Sequence, residues 1–148
     1  MRKVRLNQNT TETVDRIAEL HVEGNIIPAS WYQEIKTQSG KTALLAINLL
    51  ADIRYWYTPT VMRSETSNQV VGIKKKFKSN KLQRSYRQIA DFFGVSYDLA
   101  KDAVDTLVSL GLITREFRTI NSAYGKLNNR MFLEPIPEAL RDITYRID

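Results

Sequence analysis

Cysteine is absent from the 148 residues. That excludes disulfides, thiolate nucleophiles and zinc–cysteine sites, and it is compatible with a reducing compartment. Histidine occurs once, as His21. One imidazole cannot supply a two-histidine metal site, and no nucleophile elbow stands elsewhere for it to serve. Carboxylates are scattered singly rather than paired at catalytic spacing, so no enzyme, metal or cofactor is expected. Long hydrophobic runs are missing too. The longest apolar stretch, Ala43 to Ala51, is broken by Asn48 and is far too short to span a bilayer. The basic start "MRKVRLNQNTTETVDR" has no apolar segment behind it, unlike a signal peptide. Asn9-Thr10-Thr11 fits a glycosylation sequon, which without a secretion signal is chance. A cytoplasmic protein with no membrane partner is expected.

The most telling absence is of acid. Between residues 71 and 90 stand Lys74, Lys75, Lys76, Lys78, Lys81, Arg84 and Arg87, with no Asp or Glu among them. The chain's net charge is +6, so this block alone exceeds it. The stretch 91–112 is net acidic, and 113–130 is basic again through Arg115, Arg118, Lys126 and Arg130. A concentrated basic block favours a polyanionic partner, although a solvated lysine loop is the plainer reading of such a run. The composition, 43% hydrophobic and 26% charged, is that of an ordinary globular protein long enough to bury one core.

Periodicity gives the organisation. Residues 1–10 read as a loose arm and Thr11 to Leu20 as a helix, with Val14, Ile17 and Ala18 at helical spacing. His21 then reads as a helix-end residue. Gly24 and Pro28 break the pattern, and "WYQEIKTQ" forms a short turn capped by Ser30 and ended by Gly40. Thr42 to Tyr57 is strongly helical, with Leu45, Leu49, Ile53 and Trp56 on one stripe and Ala46 and Leu50 beside it. Pro59 stops it. Thr58 to Asn80 is polar and basic with a β-like patch, "QVVGIKKKF", expected as a hairpin or a disordered insert.

Ser85 with Gln88 makes a capping-box pattern, and Ile89, Phe92 and Phe93 form the apolar face of a short helix. Gly94 sits where a helix end wants a left-handed residue, and Ser96 caps the next helix. There Leu99, Ala103, Leu107 and Leu110 fall on one stripe, with Val104 and Val108 beside it. Gly111 ends it. "LITREFRTI" and "NNRMFLEPI" alternate as strands around a turn-rich tip, "NSAYGKLNN". "PEALRDITYRID" reads as a short helix and tail. The order predicts a mainly α fold with a small β-hairpin wing, an α+β winged helix-turn-helix. It divides into an N-terminal arm with short helices (1–40), the winged-helix domain (41–136) with its basic insert at 58–84, and a C-terminal tail (137–148).

"RQIADFFGVSYDLAKDAVDTLVSLGLITRE" resembles the helix-turn-helix of bacterial and phage winged-helix proteins. "GNIIPASWY" and "AINLLADIRYWYTPT" are similar to segments of phage and prophage replication proteins with an N-terminal winged helix, the DnaD-like replication-initiator type. "NNRMFLEPIPEALRDITY" resembles their wing and exit. The resemblance spans roughly residues 24–145. It implies DNA binding in phage or mobile-element replication or regulation. Such proteins often carry a further C-terminal domain for loading a helicase, so it also implies either a fragment or a small stand-alone member.

Two other motifs carry less. "SGKT" at Ser39 to Thr42 mimics the end of a phosphate-binding loop, but position 35, where the pattern needs glycine, is Ile35. It reads as a helix start after a glycine turn. Trp31, Tyr32, Tyr55, Trp56 and Tyr57 cluster as a stacking platform would. Trp56, however, shares the stripe of Leu49 and Ile53, which favours core packing, and Trp31 is expected to pack the N-terminal segment onto the long helix.

In a winged helix the second helix of the motif enters the major groove. Its outward candidates are Ser96, Tyr97, Asp98, Lys101, Asp102 and Asp105, with Leu99 and Ala103 turned to the core. Asp98 suits the first helical turn. Three carboxylates against one lysine make this helix a poor phosphate binder, unless they pair with Lys101, Arg84 or Arg87. Phosphate contacts then fall to Lys74, Lys75, Lys76, Lys78, Lys81, Arg84 and Arg87, and on the wing to Arg115, Arg118, Lys126 and Arg130. Tyr97 and Lys101 remain as base readers. The expected partner is double-stranded DNA, bound with steep salt dependence. The acidic helix keeps a second expectation open: an adaptor or inhibitor docking on a protein of a nucleic-acid-processing complex. A homodimer also stays open.

Overall fold

The computed structural model describes residues 9–22 and 24–145. Most of the expected arm over 1–10, and residues 146–148 of the expected tail, lie outside them. The architecture is α+β: among the described residues there are six helices and two small antiparallel sheets.

Helix α1 (Glu12–Glu19) is capped by Thr11, whose hydroxyl accepts the Val14 amide at 3.2 Å. Its apolar side is not covered, with Val14 and Ile17 exposed. Helix α2 (Trp31–Glu34) contributes Trp31, which is fully buried. Its indole N–H donates to the Thr144 hydroxyl at 2.9 Å, so it anchors the C-terminal helix α6 (Pro137–Thr144) as well as the N-terminal segment. "SGKT" forms a turn through Gly40, at φ 85°, that brings Thr42 opposite Lys36.

Helix α3 (Leu44–Tyr57) starts two residues later than its periodicity suggests. Ala46, Ile47, Leu49, Leu50, Ala51 and Ile53 are all buried, so it is the central helix, covered on most sides. A helix apolar over so much of its circumference belongs inside a fold.

After α3 the chain makes an excursion. β1 (Thr60–Arg63) and β2 (Val70–Lys74) pair antiparallel, Thr60 opposite Lys74, as a hairpin with no buried residue. The chain returns as β3 (Leu82–Gln83), a two-residue strand that sequence periodicity misses. Helices α4 (Tyr86–Phe93) and α5 (Tyr97–Ser109) follow, then β4 (Ile113–Ser122) and β5 (Gly125–Pro135). The second sheet has strand order β3-β5-β4. The expected tip "NSAYGKLNN" is mostly strand. Pairing continues to Ser122 opposite Gly125, leaving Ala123 and Tyr124 as the loop. A shift between Arg118 and Ile120, with Asn129 at φ 55°, absorbs an extra residue on the way.

Tyr57 stitches the layers together. Its hydroxyl accepts the Leu82 amide at 2.9 Å and donates to the Leu133 carbonyl at 2.6 Å. Burial pushes its pKa up. Beneath lie Leu82, Ile113, Met131 and Leu133 from the sheet, and Ala100, Ala103, Val104 and Leu107 from α5. Three expected core positions differ. Leu99 is 51% and Phe92 69% exposed, and Leu110 is largely exposed as well. The buried face of α5 is set by Ala100, at 0% exposure, because a small side chain lets α5 approach α3 closely. The α4 contribution is Ile89 and Ala90, with Phe93 half-buried.

Candidate nucleic-acid interface

Local caps set the geometry. The Ser85 hydroxyl accepts the Gln88 amide at 3.0 Å, and the Gln88 side chain accepts the Ser85 amide at 2.9 Å. This capping box fixes the start of α4 and holds Arg84, Tyr86 and Arg87 at its mouth. Gly94, at φ 68°, ends α4 in the left-handed region that glycine favours. Ser96 accepts the Leu99 amide at 3.2 Å, which starts α5 and sets Tyr97 edge-on to Tyr86 at 5.5 Å. From the other side, the Arg84 amide donates to the Met131 carbonyl at 3.0 Å, drawing β5 alongside.

A cleft of about 400 Å³ results, lined by Arg84, Arg87, Tyr97, Phe117 and Arg130 among others. Arg84, Arg87 and Arg130 make no ion pair among the described residues. Arg84 lies over the Trp56 ring at 5.0 Å. The Arg130 Nε is buried with no hydrogen-bond partner. Arg84 and Arg87 line the cleft without a salt bridge, with Asp52 acting on Arg84 from nearby, so the cleft is net basic. Arg130 also lines it, from a strand position paired with Arg118 on the sheet face away from the core.

The other expected cations fall into two groups. Lys74 and Lys78 are exposed on and after the β1–β2 hairpin. Lys75 folds back onto the Ser79 carbonyl, and Lys76 donates to the Tyr55 carbonyl at 3.0 Å with its ammonium 3.6 Å from the Tyr55 ring centre. These tethers are to neutral groups, so the charges stay uncompensated. Lys126 is exposed beside the β4–β5 loop.

The second group is neutralised. Lys81 sits 3.1 Å from Glu116 and 3.7 Å from Glu134. Arg118 binds Glu116 at 2.9 Å and Asn80 at 2.8 Å, above the ring of Phe132. Glu116, Arg118 and Phe132 alternate with Arg115, Phe117 and Leu133, so this network lies on the sheet face opposite the core. Arg118 and then Lys81 hold the Glu116 carboxyl down to about 2.

Asp105 accounts for part of the acidic helix. It receives Lys101 at 2.9 Å and Arg115, and Arg115 also donates to the Tyr86 hydroxyl at 2.9 Å. Lys101 first, then Arg115, lowers the Asp105 pKa. Its partners are thus Lys101 and Arg115 rather than Arg84 or Arg87. Asp98 and Asp102 are exposed with no ion pair among the described residues. Of the positions singled out from sequence, the structure brings Arg84, Arg87, Tyr97 and Arg130 together, with Lys101 and Arg115 flanking them. Phe117, 52% exposed on the cleft wall, was missed. Its place two residues after Arg115 on an alternating strand is the signal that could have found it.

Among the described residues no three His, Cys, Asp or Glu side chains converge as a metal site, and no helix is long and apolar enough to cross a membrane. No protein-family model, curated protein or solved structure matches the chain.

Proposed function

We propose that the chain is a winged-helix DNA-binding protein that holds duplex DNA mainly through phosphate contacts. The observation that carries this is the net basic cleft lined by Arg84, Arg87 and Arg130, none of them in a salt bridge among the described residues, at the mouth of α4 and beside Tyr97. The winged-helix reading is supported by the succession α3, β3, α4, α5, β4, β5 and by the strand order β3-β5-β4, with β4–β5 as the wing. In that geometry α5 leads into the major groove by its first turn and the wing follows the backbone. The β1–β2 hairpin and its lysines extend the basic surface. A role in phage or mobile-element replication or regulation, in the cytoplasm, follows from the sequence resemblance.

The test is a binding titration of a labelled duplex at several salt concentrations. Removing one phosphate-binding cation should lower the slope of log affinity against log salt by about 0.9, so Arg84→Ala and Arg87→Ala should each flatten it. Absence of binding to any duplex or single strand at low salt overturns the reading.

A second reading has its own observation. Asp98 and Asp102 present uncompensated negative charge on the outer face of α5. That suits a protein-docking adaptor or inhibitor better than a groove reader. Replacing Lys74, Lys75, Lys76 and Lys78 by alanine separates the two. The adaptor reading stands if a protein partner survives the change and DNA was never bound.

A further inference from the structure

The phosphate cleft does not end at Arg84. A second cavity of about 220 Å³ adjoins it and shares Arg84 and Gln88 with it, adding Asp52, Trp56, Phe92 and Phe93. A third, of about 480 Å³, shares Asp52, Trp56 and Phe92 with the second and extends to Tyr55. The three make one trough, basic at one end and aromatic at the other. Phe92 stands at its rim, 69% exposed and edge-on to Phe93 at 4.8 Å. Core packing does not explain a phenylalanine in that position. Trp56 is half-buried, with the Arg84 guanidinium over its ring. Between them lies Asp52, half-buried beside Arg84 and the Trp56 side chain.

We propose that Phe92, Trp56, Asp52 and Arg84 form a subsite for one unpaired nucleobase of a DNA strand whose phosphates lie in the Arg84–Arg87 cleft. This rests on the DNA-binding reading above and adds to it the class of substrate: duplex DNA carrying an unpaired nucleotide, such as an overhang or an opened junction. The chemistry fits on each side. Base rings stack on aromatic faces and on arginine planes whatever their sequence. A carboxylate accepts hydrogen bonds, so Asp52 can take a donor from the exposed edge of an unpaired base, whether an exocyclic amino group or the N3–H of thymine. Bases inside an intact duplex are stacked and paired, so the trough receives nothing from blunt DNA.

The experiment compares the affinity of the full chain for a blunt duplex and for the same duplex with a short single-stranded overhang. The overhang should raise affinity roughly tenfold, the scale of one stacked base. Phe92→Ala should abolish that gain while leaving blunt-duplex binding and thermal stability unchanged. Asp52→Asn should reduce the gain from the overhang, since a neutral amide accepts more weakly than a carboxylate. If blunt duplex binds and the overhang adds nothing, or Phe92→Ala keeps the gain, this inference is wrong and the duplex reading survives. If no DNA binds at low salt, both fall.

Discussion

The hairpins β1–β2 and β4–β5 are both antiparallel and both basic, yet only the second has a face on the core. Ile113, Met131 and Leu133 are buried, and β5 is flanked by β3 on one side and β4 on the other. In β1–β2, Val61, Met62, Val70, Val71 and Ile73 are all between 42% and 66% exposed. A two-stranded hairpin without cover is marginal on its own, so propensity alone does not separate the two. The difference teaches that strand pattern and structural importance are separate properties. One hairpin is part of the fold; the other is carried by it.

The largest way to break this comparison is Leu133→Ala against Ile73→Ala. The first should cost about 2–5 kcal/mol of unfolding free energy, as cavity-forming changes in a core do. The second should stay within about 0.5 kcal/mol. Denaturant unfolding of both measures the contrast, and equal losses would place the first hairpin in the cooperative unit. Tyr57→Phe should come next, at about 1–3 kcal/mol, because the Leu82 amide and Leu133 carbonyl are left without their shared partner.

The same contrast extends to binding. If the DNA-binding reading holds, Lys74→Ala and Lys78→Ala should each flatten the salt dependence by about 0.9. Lys81→Ala should leave the slope unchanged, since its ammonium is already held between Glu116 and Glu134. The smallest effect concerns acid. Glu116 is held at about 2, below its ordinary 4.5, so its contribution to stability is complete above the ordinary value and lost as pH falls toward 2. Glu116→Gln should remove that part of the acid dependence, read from unfolding midpoints between pH 5 and pH 2. An unchanged acid profile would show that the network outside the core contributes nothing measurable, as exposed ion pairs often do.

Much of the fold was legible because it is written in local chemistry. Ser85 with Gln88, Gly94 and Ser96 each satisfy a backbone group within three or four residues, so their roles can be read in isolation. What could not be read depends on distant partners. Leu82–Gln83 is a strand only because β5, some fifty residues later, pairs with it. Leu99 looks like core by size, yet Ala100 wins the buried position because α3 lies close. Asn, Ser and Gly in "NSAYGKLNN" suggested a wide turn, but a solvent-facing hairpin needs backbone pairing rather than apolar side chains. At the candidate site, Arg84 and Arg87 stood out by charge. Their convergence with Arg130 and Phe117 needed the Arg84–Met131 backbone bond to become visible.

Tyr57 has one more consequence, a practical one. Its side chain spans the two ends of the excursion from Thr58 to Lys81, and of the residues between them Phe77 packs against Tyr57 and the core while the β1–β2 hairpin stays outside it. The turn at Thr66 and Ser67 is therefore a splice point. A reporter domain inserted there would ride on the hairpin, far from the buried layer, and could register what the basic surface touches without disturbing the scaffold that presents it.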